Sequence, residues 1–437
     1  MIMDIQFNKV QYKKIYDFFI ALILFAAMEF VYSVVEVGLF AYAGYVFSFD
    51  FSRFILGWLL FIVCSYVVIM FSSETLSAAL YSMLFFLSIA PFIVLYQFDS
   101  AIKIWMLIYQ IVLLFFIMMI VRVLEELYFR HKHESFKSFD IELQNKMIRQ
   151  IVMVFIGVVL LFFVFKKGIP SLTSMDFSNV YETRGSVSFS SFELMAMTLI
   201  CKILIPIYLS YYLDEKKYVM AGYLSIVQVY MYAVTGYKTY ILMLGLIYAF
   251  SIFRKTSYRR LILLGLLALF TGGLVLYLLS GSAMLAAIIF NRLVFLPAKI
   301  KWAYFDFFSF NPFLMFSQST IGGIFNIPQL YDTNICYLIG DIYFNKPEMW
   351  TNTGFMADAY SNMGILGGFL LSFVLAIEVF LIDVVTGFNN RTSGAVVFLM
   401  YFVSLNDGGL ISVSVSGGLL LSILFFAIIA RRKINEA

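Results

Sequence analysis

The chain has 437 residues, of which 62% are hydrophobic, 19% aromatic and only 13% charged, with a formal net charge of +4. Soluble domains average about 45–50% apolar and about 25% charged residues, so a soluble globular protein is excluded. The small positive excess does not point to nucleic acid; it is the Lys and Arg that hold the topology of a membrane protein in its loops.

A hydrocarbon core of about 30 Å takes about 20 apolar residues of helix. Apolar runs recur from one end of the chain to the other. This predicts an all-α, polytopic membrane protein that folds as a single domain over 1–437. Twelve spans are expected, at about 18–43, 54–71, 76–96, 101–121, 148–165, 191–212, 218–235, 238–253, 261–280, 361–383, 395–409 and 410–430. The first follows a basic stretch, MIMDIQFNKVQYKKIYD, with no prompt small-residue cleavage site, and reads as an uncleaved helix. The last two are separated only by Asn406, Asp407, Gly408 and Gly409.

Three connections are long. Residues 122–147 are charged and expected to be helical; they hold His131 and His133, the only histidines, as a solvated patch. Residues 166–190 form a first outer loop rich in Ser, Thr and Gly. Residues 281–360 form the largest outer loop, too aromatic to be disordered, and are expected to pack on the membrane face through short interfacial helices. With the N- and C-termini in the cytoplasm, nineteen of the thirty Lys and Arg fall on cytoplasmic segments, as the positive-inside bias requires.

No phosphate-binding glycine loop, paired-cysteine motif or zinc-type histidine pair is present. Cys64, Cys201 and Cys336 suggest no disulfide framework. What stands out is a set of cations on the outer side: Arg184, Lys238, Arg292, Lys299 and Lys301. Each alone reads as an interfacial anchor. As a group they suit a diphosphate, because Arg forks onto phosphate oxygens and Lys supplies a point charge. Outer carboxylates include Asp332, Asp341 and Asp358; each reads either as a general base on a sugar hydroxyl or as an ion-pair partner for one of these cations. Outer aromatics, Tyr304 among them, read as sugar-stacking platforms or as surface anchors. Glu29, Glu36, Glu193, Lys202, Glu378 and Asp383 fall inside spans, where charges pair or line wet cavities. Glu193 and Lys202, nine residues apart on one helix, should not pair with each other.

Three segments carry a resemblance. TGYKTYILMLGL, NRLVFLPAKIKWAYFDFF and NTGFMADAYSNMGILGGFL occur in the order and spacing of the O-antigen polymerase (Wzy-type) family, which the chain resembles over roughly 230–385. The resemblance implies a GT-C-like architecture in an inner membrane. It also implies polymerisation of undecaprenyl-diphosphate-linked oligosaccharide repeats on the outer face, with release of undecaprenyl diphosphate and without metal or cofactor. On that footing Arg292, Asp358 and Asp341 are expected to be catalytic. Arg184, Lys238, Lys299, Lys301, Tyr304, Asn352 and Asn362 are expected to bind substrate. Pro297 is expected to break its helix at the membrane edge, and Gly364, Gly367 and Gly368 to permit close helix packing. Expected partners are the lipid-linked oligosaccharide, membrane lipids and a chain-length regulator. The alternatives are a lipid-linked oligosaccharide flippase or another lipid-linked glycosyltransferase or ligase. A flippase should show short loops and repeated halves, and the related ligases resemble enzymes with an outer-loop histidine, which this chain lacks.

Overall fold

The computed structural model describes residues 2–72, 75–131, 139–142, 146–170, 188–253, 256–389, 394–429 and 431–434. In chain order the helices are α1 (Gln11–Leu39), α2 (Phe51–Phe71), α3 (Leu76–Phe98), α4 (Ile104–Arg130), α5 (Lys146–Lys167), α6 (Ser191–Asp214), α7 (Tyr218–Thr235), α8 (Lys238–Ile252), α9 (Tyr258–Ser280), α10 (Leu296–Phe310), α11 (Thr320–Phe325), α12 (Ile335–Phe344), α13 (Phe355–Val385), α14 (Val396–Ser404) and α15 (Leu419–Ile429). Among the described residues, nine helices (α1 to α7, α9 and α13) are long and apolar enough to cross a membrane, so the chain is a helical, membrane-embedded protein. Twelve were expected from the sequence. The other three runs yield helices of 15, 9 and 11 residues, short of a bilayer. The final run is cut where the π-helical turn Ser412–Ser416 gives way to Gly418, whose φ of +97° ends helical geometry.

Three helices share one device. A π-helical turn at Leu84–Ile89, Thr198–Leu204 or Ala287–Phe295 is followed two residues later by Pro91, Pro206 or Pro297. Proline lacks an N–H and its ring collides with the carbonyl four residues back. The wider π turn takes up that misfit. Pro297 therefore does not break its helix: the turns Ala283–Ala286 and Ala287–Phe295 run straight into α10.

The chain divides into two compact units. The first comprises 1–131, 257–380 and 402–413. Its centre is α3, whose most apolar window is wholly buried beneath α2, α4, α9 and α10. In lipid this burial gains packing contacts rather than the hydrophobic effect. One end of α3 lies beside Asp17, buried between Arg259 (3.4 Å) and Arg260 (2.6 Å). The other end is closed by Asp99, which receives Lys299 at 2.7 Å, with both side chains buried. The long segment 281–360 is largely helical, through α10, α11 and α12. In α13, Met363 and Gly364 leave helical geometry, so the turns Phe355–Asn362 stand apart from the apolar remainder.

The second unit comprises 132–256, 381–401 and 414–437, and packs α6, α7 and α8 together. Gln228 on α7 donates to the Cys201 carbonyl (3.1 Å) within the π turn of α6 and to the Tyr240 carbonyl (3.2 Å) on α8. Glu193 pairs with Lys166 at 2.9 Å and not with Lys202. In the 122–147 stretch, expected to be helical, Phe139–Glu142 is instead a strand paired antiparallel with Arg431–Ile434. An alternating segment such as FDIE satisfies its backbone in a ribbon more readily than in a four-residue helix.

Candidate functional site

The turns Phe355–Asn362 carry Asp358. Their position is set by neighbours far away in sequence. Phe355 N donates to the Leu405 carbonyl (3.0 Å), and Gly354 packs against the Asn406 backbone. Asn362 is buried; its Oδ1 accepts from Phe316 N (2.9 Å) and its Nδ2 donates to the Asp358 carbonyl (2.8 Å). It clamps the Asp358 turn rather than facing solvent. The Asp358 carboxylate is half-buried and lies directly against Gly409. Among the described residues its oxygens have no hydrogen-bond or ion-pair partner. Thr353, in the same segment, buries its Oγ1 without a partner among the described residues.

Lys301 approaches the same 405–409 segment from α10. It is fully buried, and its Nζ donates to Ser88 Oγ (2.6 Å), the Ser88 carbonyl (3.1 Å) and Asn406 Oδ1 (3.3 Å). All three acceptors are neutral. Burial, against the opposing pull of Asp407, brings the ammonium pKa down to about 7. Ser88 lies in the π turn of α3. Tyr304, one turn further along α10, donates to the Thr351 carbonyl (3.0 Å) and Cys336 Sγ (3.5 Å). Burial first, then the neighbouring Cys336, raises its phenol pKa well above the usual range, so it stays a donor.

The remaining sequence-predicted residues are distributed otherwise. Lys299 is taken up by Asp99 and sits over the Trp302 ring at 4.1 Å. Two residues apart on a helix, Lys299 and Lys301 face different neighbours. Arg292 is exposed on the π turn before α10, while Asn291 beside it is buried against Glu36 (2.7 Å) and Tyr45 (3.2 Å). Asp341 is exposed on α12, and Asn352 is exposed and accepts from Trp350 Nε1. Lys238 belongs to the second unit and opens α8 just after Gly236, whose φ of +64° closes α7. A cation there opposes the helix dipole. Arg184 lies outside the described residues.

The site thus gathers Asp358, Lys301, Asn406, Asp407 and Gly409 with Tyr304 and Thr351, all within the first unit. The 406–409 stretch reads from sequence only as a break between two spans. Its signal is an Asn-Asp-Gly-Gly cluster inside an apolar run, a polar break that nothing local requires. A carboxylate packed against Gly409, without a partner among the described residues, is equipped to take a proton from a bound hydroxyl. Comparison with protein-family models, with curated proteins and with solved structures finds no match to this chain.

Proposed function

We propose that this protein is a membrane glycosyltransferase that polymerises oligosaccharide repeats carried on a lipid diphosphate, in the manner of the O-antigen polymerases it resembles, with a GT-C-like layout. A hydroxyl of the incoming repeat attacks the anomeric carbon of the growing chain's first sugar. The bond from that carbon to the diphosphate breaks, and the lipid diphosphate leaves with the bonding electron pair. Asp358 takes the hydroxyl proton. Arg292 balances the charge that develops on the departing diphosphate. The observation that carries this reading is the Asp358 carboxylate held against Gly409 without a partner among the described residues.

The experiment is the chain-length ladder of surface polysaccharide from cells carrying Asp358→Asn or Arg292→Ala, with protein level in the membrane measured alongside. The expected result is a single-repeat product with normal membrane insertion, since loss of a general base costs about 10²–10⁴ in rate. Full-length ladders from Asp358→Asn would refute its role as base.

A further inference from the structure

A cavity of 370 Å³ lies among α2, α3 and α4 of the first unit, remote in sequence from the residues assigned above. Its apolar wall is Phe71, Met118 and Met119, and its rim is Arg122 and Glu125. Phe71 closes α2 and Leu76 opens α3, so the cavity sits at helix ends. Arg122 follows Ile104 by five turns, about 27 Å of rise, which is close to the thickness of the hydrocarbon core. The rim therefore falls at the boundary between acyl chains and headgroups.

The charges at this rim are unlike in sign and one turn apart on α4, a spacing that puts them on one face. Glu125 is half-buried, and among the described residues it makes no hydrogen bond or ion pair. Arg122 is exposed and gives its Nε to Glu126 Oε1 at 3.0 Å, the weak kind of surface pair. Ser72 and Ser77 are buried in the wall. Nearby, Lys14 donates to the Met70 and Ser72 carbonyls, and Arg259 donates to Ser72 Oγ at 3.0 Å, so the basic groups there are already engaged.

We propose that this cavity binds one aminophospholipid, with its ammonium on Glu125, its phosphate on Arg122 and the upper methylenes of an acyl chain along Phe71, Met118 and Met119. Charge complementarity selects this occupant. An anionic lipid with an uncharged headgroup terminus would set its phosphate on Arg122 but bring no cation to Glu125. A free phosphate would leave the apolar wall empty. The proposal does not depend on the glycosyl-transfer reading.

The test is native mass spectrometry of the full chain in detergent, offered equal amounts of phosphatidylethanolamine and phosphatidylglycerol. The wild-type protein is expected to retain phosphatidylethanolamine about tenfold in preference, the worth of one charge-assisted contact. Glu125→Gln should bring the two lipids to parity, and Met118→Trp should displace both by filling the cavity. Equal retention of the two lipids by the wild type, or an unchanged preference in Glu125→Gln, would overturn the proposal. Phosphoethanolamine without acyl chains competing as well as the lipid would overturn it as well.

Discussion

Gly409 matters because of what lies over it. A Cβ there would run into the Asp358 carboxylate, with Cγ at 2.6 Å and Oδ1 at 2.9 Å. Gly409→Ala should therefore displace the carboxylate without altering any titratable group. Misplacement by about 1 Å costs about 100-fold in rate, readable as a shortened polysaccharide ladder at normal protein level. Lys301 makes a second prediction. Its pKa of about 7 in the fold lies below the 10.5 of a free side chain. Between those values the unfolded chain carries a proton that the folded chain lacks, so this group makes stability rise with pH from about 7 to about 10. Thermal midpoints in detergent at neutral and alkaline pH should show that rise, and Lys301→Met should flatten it. Lys299 behaves differently, because its charge is paired. Lys299→Met strands the buried Asp99 and should cost about 3–5 kcal/mol, most of it recovered by adding Asp99→Leu. The outer-side cations stand out in the sequence by their charge in greasy surroundings. Their partners do not: Lys299 meets Asp99 and Lys301 meets Ser88 and Asn406 across 200, 213 and 105 residues of chain. No local pattern encodes such pairings.

At the level of elements, helix positions follow from apolar run length, and several ends agree with caps visible in the sequence. Asp50 caps α2, Ser190 and Glu193 form a capping box on α6, and Gly236 and Gly281 stop α7 and α9. The sequence does not reveal the π turns, because a run of apolar residues reads the same in α and π geometry. Proline marks where to look, since Pro91, Pro206 and Pro297 each stand just after one. The break in α13 is the other hidden feature. Gly364 has φ +61° and ψ −142°, and a Cβ there would meet the Phe313 ring at 2.7 Å. Gly364→Ala should cost about 1–3 kcal/mol from backbone strain alone. It should also depress polymer length, because the break sets the angle of the Asp358 turn. Thermal stability and ladder length, measured together, check both effects.

Across the whole molecule, membrane class was legible from composition, and the nine long helices each coincide with an expected span. The three other expected spans correspond to shorter helices, and hydropathy registers how apolar a run is rather than how long its helix is. Side assignment rests on charge: Asp17 with Arg259 and Arg260 marks one end of α3, and Asp99 with Lys299 the other. An alkaline phosphatase reporter fused after Gly281 should be active, and one fused after Thr256 inactive. The reverse pattern would invert the topology. The wholly buried α3 also bears on how the protein is made. It leaves the ribosome well before α9 and α10, two of the helices that enclose it, with about 160 residues still to be translated before α9 begins. At about 5–20 residues per second that interval lasts about 8–30 s. During it, the Ser88 hydroxyl, whose partner Lys301 lies on α10, must wait in the insertion machinery or in lipid, so the nascent chain is most vulnerable to quality-control proteases in that window.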